Sequence, residues 1–324
     1  MRRRTVLQIG SALAADLLLR VGRSRAADSY PSRTIQIIVP FSAGGSIDVT
    51  FRLVAPLLAN RLGQSVVIVN RAGGGATIGM NEVAKAEPDG YTLGAASLSF
   101  AANTALLKAV PYDPLKDFEP ITMVSRSPSL LLVNGAAPAK TLAEFIEWVK
   151  SKPANSLNYS SVGIGSSGHL FGALFLSRAG LQMQHVPFTE NAFAPVAQNL
   201  VQMLFGPIPS SMPWLHDGKL RALAVTSLDV DPSVADIPPL SRTLPGFEAF
   251  EWPGLVAPKG TPPAIIERIQ HDIAATLTDA DLRHRLAALG AEPVGSTPEE
   301  FRAFIAKQVE TWAQVVRDIG LKAD

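Results

Sequence analysis

Apolar and polar positions along this chain follow two alternating rhythms. Short β-branched runs, Ile35 to Val39, Ser65 to Val69 and Tyr91 to Ala96, read as buried strands. Between them the apolar spacing lengthens to three and four residues, as at Val49, Leu53, Val54, Leu57 and Leu58, which predicts a helix from about Val49 to Leu62 that Gly63 stops. The pattern resumes further on. Strands are expected at Phe118 to Val124, Leu130 to Val133, Leu157 to Val162, Met183 to Val186, Val201 to Phe205, Leu220 to Thr226 and Leu255 to Ala257. Helices are expected near His169 to Arg178, Ala192 to Gln198, Ser210 to His216 and from Thr261-Pro-Pro263 to about Leu277. Thr141-Leu-Ala-Glu144 and Thr297-Pro-Glu-Glu300 have the form of capping boxes and open two more, the second ended by Gly320. Strands alternating with helices predict an α/β chain with parallel sheets that bind ligands at their strand C-termini.

Punctuation sets the domain expectation. The Pro-rich Val110 to Asp117 precedes a first crossing between two lobes, and Trp252-Pro-Gly254 a return, so residues 27–127 and 252–324 form one lobe and 128–251 the other.

Three strand-to-helix junctions are rich in glycine: Pro40 to Asp48, Asn70 to Gly79, and Gly163 to Gly168. Glycine leaves the backbone open to close approach, and the unpaired N–H groups and positive dipole end of the following helix favour a carboxylate or phosphate. The first and third junctions place one such cradle in each half, facing a cleft.

Composition changes the setting rather than the fold. The opening Met1-Arg-Arg-Arg-Thr-Val-Leu-Gln8, the apolar stretch from about Ile9 to Leu19 and Ser24-Arg-Ala26 together read as an export signal over residues 1–26, with Arg3-Arg4 giving it a twin-arginine character. Removing it takes six Arg and one Asp from a chain of net charge +1 and leaves −4, which disfavours nucleic acid and leaves any anion to be held by local dipoles. With no Cys there is no disulfide, thiolate nucleophile, cysteine-ligated metal or lipid-bearing cysteine, and no later segment is apolar enough to span a membrane. A free periplasmic protein is expected.

Other chemistries compete for the same residues. Gly163-x-Gly165-x-x-Gly168 has the spacing of a dinucleotide fingerprint, with Glu190 downstream, but its mid-chain place and its Ser166 and Ser167 fit a general anion cradle better. A Walker-type phosphate loop is absent. Neither Ser166 nor Ser167 has glycines at both flanking offsets of a nucleophile elbow, and His169 need not face them. The five His are scattered without metal-ligand spacing, so neither a metal nor any cofactor is expected. Asp48 reads equally as a ligand contact or as a first-turn partner of the helix dipole. Phe41, Phe100, Phe188 and Phe193 fall outside periodic faces and are candidates for the cleft wall.

Many ordered segments carry a resemblance to one family. They include Tyr30-Pro-Ser-Arg33, Val39 to Asp48, Pro88-Asp-Gly-Tyr-Thr-Leu93, Pro111-Tyr-Asp-Pro114, Leu157-Asn-Tyr-Ser160, Gly168-His-Leu170, His185-Val-Pro187, Gly218 to Thr226, Ala257 to Pro262 and Thr297 to Phe301. The chain resembles the Bug-type (TctC-like) substrate-binding proteins of tripartite tricarboxylate transporter systems over essentially its whole mature length. The resemblance implies a two-lobed periplasmic-binding-protein fold of type II-like form, each lobe a mainly parallel sheet flanked by helices, which closes over a small organic carboxylate and passes it to membrane transporter subunits without chemistry. The implied contacts are Phe41, Ser42, Ala43, Gly44, Gly45, Asp48 and Ser97 from the first lobe, and Ser161, Gly163, Ser166, Ser167, His169 and Phe188 from the second. Departures from the family pattern follow His185-Val-Pro187, where Phe188-Thr-Glu190 replaces the usual Tyr, Lys and Gly, and at Gly206, where the family commonly has Asp. These departures point away from amino acids and toward a carboxylate with an apolar or aromatic remainder near Phe41, Phe188 and Phe193.

Overall fold

A computed structural model describes residues 30–188 and 191–320; the expected export signal, Glu190 of the dinucleotide reading and the last four residues lie outside the described residues. In chain order the first part runs β1 (Ile35–Val39), α1 (Ser46–Leu62), β2 (Val66–Asn70), α2 (Thr77–Ala84), β3 (Thr92–Ala96), α3 (Leu98–Leu106), β4 (Phe118–Met123) and β5 (Ser125–Asn134). It continues with α4 (Leu142–Lys150), β6 (Asn158–Ser161), α5 (Ser167–Ala179), β7 (Gln184–Pro187), α6 (Phe193–Ala197), β8 (Met203–Pro207), α7 (Ile208–His216) and β9 (Leu220–Val225). The chain closes with β10 (Phe250–Glu251), β11 (Gly254–Pro258), α8 (Pro263–Thr276), α9 (Ala280–Ala288), β12 (Glu292–Pro293) and α10 (Pro298–Ile319).

Two sheets form. The first has the order β2-β1-β3-β11-β4, with β1 parallel to β2 and β3, and β11 antiparallel to β3 and β4. In the second, β6 runs parallel to β7 and β8, while the long β5 runs antiparallel to β8, β9, β10 and β12. Both sheets are thus mixed rather than mainly parallel: each has the expected parallel strands, but the crossing strands pair antiparallel, and in the second sheet these pairings predominate. The antiparallel pairs have a simple origin: β4 and β5 cross from the first sheet to the second, and β10 and β11 cross back beside them. Where the ribbon changes sheets, the Val124 amide donates to Pro253 O at 2.9 Å.

Trp252 is fully buried at this crossing, edge-on to Phe301 and Phe304 of α10 at centroid distances of 5.7 and 5.2 Å. The Thr297 hydroxyl accepts from the Glu300 amide and Glu300 Oε2 accepts from the Thr297 amide, so the expected capping box starts α10. From there α10 packs on α3 and β4 of the first sheet and on α5 beside the second, bracing the ribbon from one side. The Thr141 cap of α4 is half of such a box, because Glu144 Oε2 accepts instead from the Lys140 amide.

Two helices depart from the sequence reading. Ser97-Leu-Ser99, read as the polar end of a strand, opens α3, with Leu98, Ala101, Ala102 and Leu106 buried. The helix α9, capped by Asp279, was not anticipated, since its few apolar positions leave a weak periodicity. Farther upstream α1 begins at Ser46 rather than Val49, because the extended Gly45 is already its N-cap.

Candidate functional site

Between the C-terminal ends of the parallel strands lies a cleft of about 500 Å³. Its walls are set by where four helices begin. α1 starts at Ser46, α2 at Thr77 after the tight turn Gly74–Ala76, α3 at Leu98 and α5 at Ser167, and Ser46, Ala76, Leu98 and Ser167 all line the cleft. Three of these N-termini come from the first sheet and one from the second. A carboxylate placed among them meets positive dipole ends from both sides and first-turn amides of α1, α3 and α5; at α2 the Ala76 amide is already paired with Gly73 O at 3.1 Å and the Thr77 amide with Gly74 O. Among the described residues, no Lys or Arg lines the cleft.

The first turn is held from behind. Asp48 is buried at 1% exposure, and its carboxylate accepts from the Gly44 amide at 2.8 Å, Arg52 Nε at 2.8 Å and Asn70 Nδ2 at 2.8 Å. Asn70 Nδ2 also donates to Phe41 O at 3.0 Å, so Asp48 and Asn70 together fix both arms of the loop. The Arg52 hydrogen bond, more than the Gly44 and Asn70 donors, pulls the Asp48 pKa down to about 2 against the opposing effect of burial. Gly44 takes φ +85° at the apex, in the left-handed region that glycine adopts freely. With Gly45 as N-cap, α1 has no side-chain cap, and its first-turn amides are left to a ligand or to water.

A histidine pair supports the opposite turn. His169 Nδ1 accepts from the Gly165 amide at 3.0 Å, and the His169 ring lies 4.0 Å from that of His185, whose Nε2 is 2.7 Å from Ser161 Oγ. Burial first, and then the neighbouring His185, holds the His169 pKa down to about 3; burial holds His185 down to about 4. Both rings are neutral at ordinary pH. Ser166 caps α5, its hydroxyl donating to Gly163 O at 2.7 Å and accepting from the His169 amide at 3.4 Å. That hydroxyl faces no base, as the serine hydrolase reading would require.

Of the residues expected to contact a ligand, Phe41, Ser42, Ser97, Gly163, Ser166 and Ser167 line the cleft together. Ala43, Gly44, Gly45, Asp48, Ser161 and His169 stand in or behind the two turns and off the lining. Phe188 packs against the core of the second sheet, as does Phe193, which stacks on Trp214 at 6.0 Å; Phe100 is buried against Tyr112 and Phe118. Of the four phenylalanines considered for the wall, Phe41 alone is on it. Gly206 accounts for Phe193: a Cβ there would come within 2.8 Å of the Phe193 ring, which occupies the space an acidic side chain would need.

The middle Gly-rich turn contributes Gly73, Gly75 and Ala76 to the wall, with Asn103 Nδ2 donating to Gly75 O at 2.7 Å; it was read as a turn but not counted as a site. Glu251, on the ribbon, went unnoticed because a single acid before a Trp carries no motif. It lines the cleft, Ser46 Oγ donates to its Oε2 at 3.3 Å, and burial raises its pKa.

Residues 50–321 match the tripartite tricarboxylate transporter family receptor. The chain belongs to this family. Among relatives of the receptor is protein BugT of Bordetella pertussis, 36% identical over 301 residues that span 91% of this chain and 92% of BugT. MatC from Rhodopseudomonas palustris, solved with bound malate, is 34% identical, covers 89% of the receptor and 100% of its own chain, and superposes with a TM-score of 0.73. An R. palustris protein solved with adipate is 32% identical, covers 90% of the receptor and 98% of its own chain, and has a TM-score of 0.75. The two sheets and the crossing ribbon are thus the two-lobed fold of periplasmic binding proteins.

Proposed function

We propose that the receptor is exported, loses residues 1–26, and captures a small organic carboxylate with an apolar remainder in the periplasm, delivering it to tripartite transporter subunits without chemical change. The observation that carries this reading is the meeting of four helix N-termini from two sheets around one cleft that, among the described residues, is lined by no Lys or Arg. Such a site suits an anion held by amides and hydroxyls, with the desolvation cost of a buried Arg avoided. Four or five charge-assisted hydrogen bonds of about 1.5–3 kcal/mol each are enough for a dissociation constant near the micromolar range after association costs.

Lobe one comprises residues 27–127 and 252–324, lobe two 128–251, and the β4–β5 and β10–β11 ribbon is the hinge. The ligand contacts are Phe41, Ser42 and Ser97 on one side and Gly163, Ser166 and Ser167 on the other, with Asp48 and His169 holding the two turns. An apolar remainder is favoured by Val162 and Ile164, which are 56% and 60% exposed on the cleft wall and would be covered by a bound solute. Malate in MatC and adipate in the R. palustris relative are small organic carboxylates, which supports the carboxylate part of this reading.

A thermal-shift screen against mono-, di- and tricarboxylates, aromatic acids, amino acids and NAD tests this reading. A ligand that binds only the folded state raises Tm with concentration. One carboxylate class is expected to do so; a shift with NAD alone, or turnover of an ester with no carboxylate shift, overturns it.

A further inference from the structure

Among the described residues, every polar side chain on the cleft wall except one carries a hydrogen-bond donor. Ser42, Ser97, Ser99, Ser167 and Asn103 carry O–H or N–H groups beside the helix amides, whereas Glu251, when ionised, only accepts and takes the Ser46 hydroxyl. Its placement is specific. Glu251 sits on β10, paired with Ser127 of β5, and so projects from the hinge ribbon to the N-terminus of α1. Among the described residues its side chain has one hydrogen bond, from Ser46 Oγ at 3.3 Å, and no ion pair. The nearby Arg126 is engaged by Glu292 at 2.7 Å and Glu248 at 4.0 Å.

In its ionised form Glu251 repels a ligand carboxylate brought close to it, and when the cleft closes and water leaves it keeps that charge only if a donor beyond Ser46 reaches it; otherwise it takes up a proton. We propose that Glu251 sets the solute class: it accepts a hydrogen bond from a hydroxyl or amino group on the bound carboxylate, supplying the acceptor that Gly206 lacks and so reversing the expectation drawn from Gly206 alone, and the preferred solutes are hydroxy- or amino-carboxylates rather than plain ones. This rests on the carboxylate-receptor reading and adds a specificity determinant to it. The anion end lies at the helix N-termini, the apolar body against Val162 and Ile164, and the donor at Glu251.

The test is isothermal titration of the purified receptor with butyrate, its 2-, 3- and 4-hydroxy derivatives, 4-aminobutyrate, 3-phenylpropionate and 3-(4-hydroxyphenyl)propionate. At least one donor-bearing member should bind about tenfold or more tighter than its parent, the value of a hydrogen bond to a charged acceptor. In Glu251→Ala that ratio should fall toward one, with the parent acid binding tighter than it does to the wild type. In the isosteric Glu251→Gln a hydroxyl preference should partly survive and an amino preference disappear, because the amide accepts without charge. Thermal unfolding of both variants checks the fold; should the alanine variant not fold, the glutamine variant decides through its amino-to-hydroxyl ratio. Parent acids that bind without any donor preference, or a preference unchanged in the variants, overturn the role of Glu251 and leave the receptor reading standing. Failure of every carboxylate to bind the wild type removes both.

Discussion

Replacing Asp48 with Asn separates support of the cradle from direct contact with the ligand. The wild-type carboxylate takes three hydrogen bonds at 2.8 Å while 1% exposed. An amide of the same shape keeps one acceptor oxygen and turns its N–H groups toward the remaining donors. The Arg52 guanidinium is half exposed and loses little, because water replaces its partner. Of the Gly44 and Asn70 donors, one loses a charged, buried acceptor, about 1.5–3 kcal/mol. A total near 2–3 kcal/mol corresponds to a fall in Tm of about 4–10 °C. The loosened Gly44 turn also misaligns the first-turn amides of α1, and carboxylate affinity should fall about tenfold. Circular-dichroism melts with and without a bound carboxylate at neutral pH measure both effects. The stabilising share of Asp48, whose folded pKa near 2 lies below its ordinary value, is present above about pH 4 and is lost as pH falls toward 2; the Asn variant lacks that part of the acid transition. Lost binding with an unchanged Tm would refute the supporting role and make Asp48 a ligand contact.

Further expectations concern other parts of the frame. Gly44→Ala, at φ +85° with open space around it, should cost about 1–2 kcal/mol through backbone strain alone, seen as a lower denaturation midpoint with an unchanged slope. Because the folded state holds His169 neutral while the unfolded chain protonates near pH 6.5, stability should decline as pH falls from about 6.5 toward 3–4, with His169 alone accounting for about 2 kcal/mol at pH 5; urea midpoints across that range, compared with His169→Asn, check the sign. Trp252→Ala should cost about 3–5 kcal/mol by emptying the fully buried site between the ribbon and α10, measured by denaturant unfolding. Gly206→Asp should destabilise by displacing the Phe193 ring and should do less harm on top of Phe193→Ala, a non-additivity that a double-mutant cycle reads directly.

Local patterns carried much of this molecule in plain sight. The apolar run Ile35 to Val39, Gly63 and Gly320 as left-handed helix ends, and the Thr297 capping box each depend on neighbours in sequence, and each falls in the structure where its pattern puts it. The features that were missed depend on partners far along the chain. Ser97 reads as the end of a strand until α3 is seen to begin there, and the middle Gly-rich turn joins the cleft only because Asn103 of α3 ties Gly75 to it. Phe188 and Phe193 look like free loop aromatics, yet the missing side chain at Gly206 opens a packing site for one of them. Glu251 reaches the cleft only through the antiparallel pairing of β10 with β5, which no periodicity encodes.

The most direct test of the central claim is isothermal titration of the purified receptor with a panel of organic carboxylates and with NAD, repeated with Ser46 and Ser167, the lining residues at the starts of α1 and α5, replaced singly by bulky residues. Binding of one carboxylate class at a single site, near the micromolar range and abolished by blocking either helix N-terminus, is the predicted result. Carboxylate binding that survives both replacements, or binding of NAD alone, would contradict an anion held between the two lobes.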